Sequence, residues 1–276
     1  MRVLVTRVQP QAARWVQLLS GQCEAVALPL LETRALANTA ALQAAGQRWS
    51  EYTAVMFVSS QAVSFFYASN QALAQIYQWQ VAPDTRAWAT GPGTRTALLA
   101  QGVPAQQVDA PPMDGGQFDS EALWRQVHGQ IVPGAKVLIV RGDTRDEAPV
   151  SDRSDDPAAK LQGVRGVGRD WLAQRLQQAG ARVDFVVAYQ RCAPVWGDAE
   201  RVLATQAAKD GSVWLFSSAE AVGHLRTLLP GQSWAQARAV ATHARIVQAA
   251  LGLGFAQVRE SRPTLEAVRA SIESFV

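Results

Sequence analysis

This sequence predicts an α/β protein of two similar parallel-sheet domains, the first of them discontinuous, and three observations predict it. Apolar runs of strand length alternate with helical stretches along the whole 276-residue chain. That is the pattern of open parallel sheets covered by helices on both faces and wound right-handedly. Two passages then occur twice. One is Val55-Met56-Phe57-Val58-Ser59-Ser60-Gln61-Ala62-Val63, echoed by Trp214-Leu215-Phe216-Ser217-Ser218-Ala219-Glu220-Ala221-Val222. The other is Val3-Leu4-Val5-Thr6-Arg7, echoed by Val137-Leu138-Ile139-Val140-Arg141, each leading through a helix-like stretch to a glycine, Gly21 or Gly180. Finally, the strand-ending-in-Arg passage comes first and the Phe-x-Ser passage last, so neither of those copies has its partner nearby in sequence. Folding residues 1–34 together with 193–276 completes a unit that matches 38–188, with connectors at 34–38 and 188–193 and a ligand cleft expected between the two domains.

Each element follows from local chemistry. A strand over Arg2 to Thr6 precedes a helix over Pro10 to Ser20, with Pro10 where a first turn tolerates it and Gly21 as the stop, and then a strand over Cys23 to Leu28. Leu31 to Arg34 leads out as an extended crossing segment. A helix over Thr39 to Arg48 precedes Ala54 to Val58, an unbroken apolar run suited to a strand buried on both faces. Ser59 and Ser60 open a helix over Ala62 to Ala68. A strand over Arg86 to Ala89 meets Gly91-Pro92-Gly93-Thr94, read as a tight turn, and Arg95 to Ala100 is helical. Asp119-Ser120-Glu121 starts another helix, and a strand over Lys136 to Val140 follows. Residues 143–168 are rich in Asp, Arg, Ser, Pro and Gly without periodicity, and read as a flexible insertion. A helix over Asp170 to Gln178 and a strand over Val183 to Ala188 run into Tyr189-Gln190-Arg191, the second crossing segment. The remainder restarts the pattern: helix Asp198 to Ala207, strand Ser212 to Phe216, helix Ala219 to Leu228, strand Ala237 to Ala241, helix Ala244 to Leu251, strand Gln257 to Arg259 and helix Thr264 to Phe275.

Composition sets bounds. The chain is 48% hydrophobic and 18% charged, comfortable for two domains of about 100 to 150 residues each. No apolar run approaches the roughly 20 residues of a membrane helix, and the start reads as a strand, so a cytoplasmic address is expected. A net charge of +3 without a basic cluster argues against nucleic acid. Lysine stands only at Lys136, Lys160 and Lys209 among 26 basic residues. An arginine-dominated set suits a polyanionic small ligand gripped through planar forks, and a compositional bias of the genome would produce the same count. Cys23 and Cys192 make no disulfide framework, and no metal-ligand spacing, phosphate loop or nucleophile elbow is present.

In open parallel sheets ligands lie at the carboxyl ends of strands. The polar residues that fall there are Thr6, Arg7, Ser59, Ser60, Gly91 to Thr94, Arg141, Gly142, Ser217, Ser218, Thr242 and His243. Serine or threonine ahead of a helix offers a hydroxyl and backbone N–H groups to an anion, and equally serves as a plain helix cap. Arg7 and Arg141 occupy equivalent strand ends and suit carboxylates, or are solvated surface residues. Tyr189 could bring a phenol to a ligand or simply pack the crossing strand. The nine tryptophans read as packing.

These residues resemble those of the uroporphyrinogen-III synthase family over nearly the whole chain: Val3 to Arg7, Phe57-x-Ser59-x-x-Ala62-Val63, Gly91-Pro92-Gly93-Thr94, Asp119-Ser120-Glu121, Val137 to Gly142 and Tyr189-Gln190-Arg191, in that order. The resemblance implies two flavodoxin-like domains joined by a two-stranded connector. It also implies a cyclising hydro-lyase of tetrapyrrole, porphyrin and heme biosynthesis, which needs no cofactor and no metal. Such an enzyme converts hydroxymethylbilane to uroporphyrinogen III through a spiro intermediate, with inversion of ring D. Carried over by position, Tyr189 and Thr94 are the expected catalytic residues. Arg7, Ser59, Ser60, Gly93, Arg141, Ser217, Ser218 and Thr242 are the expected substrate-binding residues. The expected partners are the small-molecule substrate and, by hand-over, the hydroxymethylbilane synthase that makes it; neither nucleic acid nor membrane is expected, and the chain is expected to be a monomer. The chain departs from the family at Thr242-His243-Ala244-Arg245, where a Gly-and-Thr-rich turn is usual. Two other readings remain: a two-lobed intracellular binding or sensor protein, and a two-domain glycosyltransferase, the latter lacking a phosphate loop.

Overall fold

The computed structural model describes residues 1–71, 84–112, 120–144 and 167–275. The chain divides into two compact units, Met1–Thr33 with Cys192–Val276 and Arg34–Arg191. Each is an α/β body built on a parallel sheet.

The first unit comprises β1 (Arg2–Val5), α1 (Gln11–Leu19) and β2 (Glu24–Ala27), then, far along the chain, α7 (Asp198–Ala207), β9 (Val213–Phe216), α8 (Ala219–Leu228), β10 (Arg238–Ala241), α9 (Ala244–Leu253), β11 (Gln257–Glu260) and α10 (Leu265–Glu273). Its strands lie in the order β11-β10-β9-β1-β2. Alternate residues of β1 face opposite layers, as a strand requires. Val3 and Val5 join Ala12, Leu19, Val268 and Ile272 of α1 and α10, whereas Leu4 joins the side that holds Trp214, Phe216, Ala204 and Ala221. Both faces are therefore dry, which is why the run is apolar without a break. Trp214 meets Trp234 edge-on at 5.4 Å and Trp234 stacks on Phe255 at 5.0 Å, so these tryptophans are core packing.

The second unit comprises α2 (Ala40–Gln47), β4 (Ala54–Phe57), α3 (Ser60–Ser69), β5 (Arg86–Ala89), α4 (Pro92–Ala100), β6 (Val108–Asp109), α5 (Ser120–Val127), β7 (Lys136–Thr144), α6 (Val167–Gln178) and β8 (Arg182–Cys192). Its sheet runs β3-β8-β7-β4-β5-β6, with the connector strand β3 (Glu32–Ala35) at the edge.

The two sheets are the same sheet entered at different points. In the first, β1 pairs β9 with Val3 opposite Val213, Leu4 opposite Trp214 and Val5 opposite Leu215. In the second, β7 pairs β4 with Val137 opposite Ala54, Leu138 opposite Val55 and Ile139 opposite Met56. Aligning the repeated passages superposes these ladders residue for residue. The capping geometry repeats as well: Ser59 Oγ accepts from the Ala62 N–H at 3.1 Å, and Ser218 Oγ accepts from the Ala221 N–H at 3.3 Å.

Three expectations are corrected and one strand is added. Gly91-Pro92-Gly93-Thr94 is not a tight turn; Gly91 is extended and caps α4, whose first residue is Pro92. Proline suits that place because its missing N–H has no intrahelical acceptor there anyway. Strand β7 does not stop at Val140 but continues through Arg141 and Gly142 to Thr144, with a register shift between Arg141 and Gly142. Arg141 is thus inside the ladder, and the presumed insertion, expected from residue 143, otherwise lies outside the described residues apart from the start of α6. Strand β8 does not stop at Ala188 but continues through Tyr189, Gln190 and Arg191 to Cys192, so the second crossing segment is part of the strand. The two-residue β6 has no counterpart in the sequence reading. Asp119 lies outside the described residues, and α5 begins at Ser120.

Candidate active site

Both sheets place their switch point, where the chain leaves adjacent strands for opposite faces, between the two repeated passages. It falls between β1 and β9 in the first unit and between β7 and β4 in the second. Loops diverge there and leave a crevice at the carboxyl ends. Arg7, Ser217 and Ser218 flank it in the first unit; Arg141, Gly142, Ser59 and Ser60 flank it in the second. The two crevices are chemically unequal.

In the second unit β8 carries Tyr189 to the carboxyl end of β7, opposite Gly142 in the ladder. Its phenol oxygen lies 3.1 Å from Ser59 Oγ, and its ring stacks on Phe65 of α3 at 5.5 Å with an interplanar angle of 21°. The ring is 4% exposed. Ser59 Oγ has already spent one lone pair on the Ala62 N–H, and a hydroxyl owns one proton and one further lone pair. If Ser59 donates to the phenol oxygen, the Tyr189 proton is left to give to a ligand, and the same serine O–H then stabilises the phenolate that remains. Ser60 directs its hydroxyl to Gln61 Oε1 at 3.0 Å.

Beyond β5, the neighbour of β4, α4 starts without a side-chain cap. Its first intrahelical bond is from the Arg95 N–H to the Gly91 carbonyl; the Gly93 and Thr94 N–H groups precede it and have no acceptor within the helix. Gly93 is exposed, with nothing within 4 Å of where a Cβ would stand. Thr94 is buried at 5% exposure. An uncapped helix start with room beside it is where a carboxylate is favoured. The strand ends are braced by Thr90 Oγ1, which donates to the Val58 carbonyl at 3.2 Å.

The first unit closes the same positions. His243 stands in register where Gly91 stands, and its Nδ1 accepts from the Arg245 N–H at 3.1 Å. The departure Thr242-His243-Ala244-Arg245 therefore swaps an open helix start for a capped one. Thr242 is half-buried and its N–H goes to the Phe216 carbonyl at 3.1 Å. Thr6 spends its hydroxyl on the Leu215 carbonyl at 2.7 Å and is buried, so it braces strands. The Arg7 guanidinium lies 4.5 Å over the Trp15 ring, and burial pulls its pKa below the ordinary value. Arg141 repeats the motif at 4.7 Å over Phe185. A guanidinium plane seated on a ring is held in place by the contact.

The structure thus joins Ser59 to Tyr189 directly and sets Arg141 beside Gly142. Phe65 escaped the sequence reading because it reads as helix interior; Gly142 was placed among the strand-end residues, but its contact with Tyr189 arises only across the ladder. At the amino end of the first sheet a cavity of about 460 Å³ is lined by Arg2, Asp210, Ser212 and Arg238, among others. Arg2 there is answered by Glu24 at 3.1 Å and Asp210 at 3.4 Å, and the cavity lies away from the switch point. Among the described residues no cluster of His, Cys, Asp and Glu could hold a metal ion, and no helix is long and apolar enough to cross a membrane.

The family model described as uroporphyrinogen-III synthase HemD matches residues 16–150 and 153–269, spanning both units. A uroporphyrinogen-III synthase of Salmonella typhimurium is 30% identical over 205 residues, covering 74% of this chain and 70% of that protein. In fold, the chain is similar to the crystal structure of the Helicobacter pylori uroporphyrinogen-III synthetase, with a TM-score of 0.57 at 14% identity over the full length of both. It is similar also to a mutant uroporphyrinogen III synthase of Thermus thermophilus, with a TM-score of 0.52 at 13% identity, covering 100% of this chain and 98% of that one.

Proposed function

This chain belongs to the uroporphyrinogen-III synthase family, and from that premise we propose that it closes hydroxymethylbilane to uroporphyrinogen III, with Tyr189 as the proton donor. The balance is simple. The C–O bond of the hydroxymethyl group and one ring C–H bond are lost and water leaves; inversion through the spiro intermediate also breaks one C–C bond to ring D and makes two C–C bonds, a net gain of one. Tyr189 protonates the departing hydroxyl, Ser59 donates to the phenolate so formed, and the phenolate recovers the proton lost from the ring D carbon as that pyrrole regains aromaticity. A positioned general acid contributes about 100- to 10,000-fold.

The larger task is conformational. The linear substrate loses its hydroxyl readily and closes without inversion when left alone, so a catalyst must hold the one folded form that leads to the spiro intermediate. Orientation of this kind supplies roughly 7 to 11 kcal/mol in favourable cases. For that holding we assign the open N–H groups of Gly93 and Thr94, the Thr94 hydroxyl, Ser60 and Arg141 in the second unit. Arg7, Ser217, Ser218 and Thr242 serve the substrate's carboxylates in the first.

The observation that carries these roles is the Ser59–Tyr189 hydroxyl pair at 3.1 Å, at the switch point of a chain matched to the family over both units. The test is to supply purified protein with enzymatically generated hydroxymethylbilane, oxidise the product and resolve the porphyrin isomers. Isomer III formed faster than spontaneous closure is the expected result. Isomer I alone, at the spontaneous rate, would sink the reading.

A further inference from the structure

We propose that Gly142 is a positioning residue, whose missing side chain makes the seat that fixes the Tyr189 phenol against Ser59. The inference rests on the assignment of Tyr189 as proton donor and deepens it.

Gly142 is buried in β7 at the register shift, where Arg141 faces Val187 but Gly142 faces Tyr189. A bulge of this kind re-aims a side chain. Here it brings the Tyr189 ring against the Gly142 backbone. A Cβ on Gly142 would stand 2.5 Å from Tyr189 Cε2 and 2.8 Å from its phenol oxygen, and nearer still to Cζ. No real Cβ tolerates such approaches. Gly142 does not have the positive φ for which Gly102, Gly134, Gly180, Gly211, Gly231 and Gly254 are suited, so its requirement is room for a neighbour rather than backbone freedom. The contrast with Gly93, whose Cβ position is open, is complete.

The ring also stacks on Phe65 at 5.5 Å. Tyr189 is thus packed by a bare backbone and a second ring, with Ser59 at its hydroxyl. Any group on Gly142 must push the phenol off that line, and a displacement of about 1 Å from productive geometry can cost roughly 100-fold in rate. Phe65 and Gly142 act through Tyr189 and touch no reacting atom in this scheme.

The experiment is Gly142→Ala, with Tyr189→Phe and the double variant, in protein labelled with 13C at tyrosine Cζ. The Tyr189 resonance is identified by its absence in Tyr189→Phe. The expected result is a shifted Tyr189 resonance in Gly142→Ala, kcat lowered about 100-fold with KM little changed, and no further loss of kcat when Gly142→Ala is added to Tyr189→Phe. A Tyr189 resonance unmoved by Gly142→Ala overturns the proposal, and so do losses of kcat that multiply in the double variant. Should Tyr189→Phe turn over as the parent does, the proton-donor reading fails, and the seat is judged on the resonance alone. If Gly142→Ala does not fold, Phe65→Leu replaces it: removing the stacked ring must move the same resonance, and an unmoved signal is fatal to the seat.

Discussion

Replace Ser59 by alanine and, separately, Ser218 by alanine. The two serines are equivalent members of the repeat, and each caps its helix by accepting an N–H three residues on, at 3.1 and 3.3 Å. Loss of a serine N-cap costs about 1 kcal/mol, which in units of this size lowers Tm by roughly 2–4 °C. Both variants should show that same modest fall. Only Ser59 also touches Tyr189. A hydrogen bond to a charged group is worth about 1.5–3 kcal/mol, so loss of the serine proton from the phenolate should lower kcat about 10- to 100-fold in Ser59→Ala. Ser218→Ala should show no comparable fall in kcat, its effect appearing in KM. Ser59→Thr, which keeps the hydroxyl, should recover most of both losses. Differential scanning fluorimetry and initial rates of isomer III formation read the two quantities independently. Equal kcat in Ser59→Ala and Ser218→Ala would refute the reasoning, because the capping cost is shared and the phenol contact is not.

Tyr189→Phe keeps the stack on Phe65 and removes only the hydroxyl; it should lower kcat about 100-fold or more while Tm moves little, and rates near the parent's would exclude Tyr189 as donor. Gly93→Ala meets no protein atom within 4 Å and replaces a poor helix former, so Tm should hold or rise slightly. KM should nonetheless rise if a carboxylate of the substrate sits on that helix start; an unchanged KM removes Gly93 from the site. Burial and the hydrogen bond to Asp184 at 3.1 Å push the Tyr52 phenol from 10.0 up to about 12. The folded state thus holds this proton more tightly than the unfolded one, so its contribution is complete below pH 10 and fades as pH rises through about 12. Urea titrations between those values should show a steeper loss of stability in the parent than in Tyr52→Phe; parallel losses would contradict the assignment.

Much of this was legible in the sequence because burial on both faces leaves a mark no single residue can hide. Val3-Leu4-Val5, Ala54-Val55-Met56-Phe57 and Val213-Trp214-Leu215-Phe216 are continuous apolar runs, and each is a central strand. Ser59 and Ser218 announce helix starts by cap chemistry. What stayed hidden depends on partners distant in sequence. Gly91-Pro92-Gly93 reads as a turn from propensity alone, yet a proline at the first helical position and a glycine cap satisfy a helix equally well. Nothing around Gly142 signals that Tyr189 will lie on it, since that contact exists only once β7 and β8 pair with a register shift. Strand β6 has two residues, Val108 and Asp109, too few for any periodicity. The reading of Arg141 as a strand end failed for a related reason: the polar stretch Gly142-Asp143-Thr144 looks like a loop, but pairing with Tyr189, Gln190 and Arg191 keeps it extended.

The sheet order of the first unit sets a timetable for synthesis. Strand β1 lies between β2 and β9, so its neighbour Val213 is translated long after Val3. The emerging head must wait on the ribosome while Arg34–Arg191 is made. Once that middle segment has folded, it lays β3 beside β8, and the waiting head and the newly arriving tail leave it from adjacent strands. A search across some two hundred residues becomes a short one, and the entropy of closing the loop has already been met by the middle's own core. The middle unit is in effect the jig on which the outer one is assembled. Lesions that slow its folding should therefore strand β1 and expose the edge that β9 would cover to aggregation, even when every residue of the outer unit is intact.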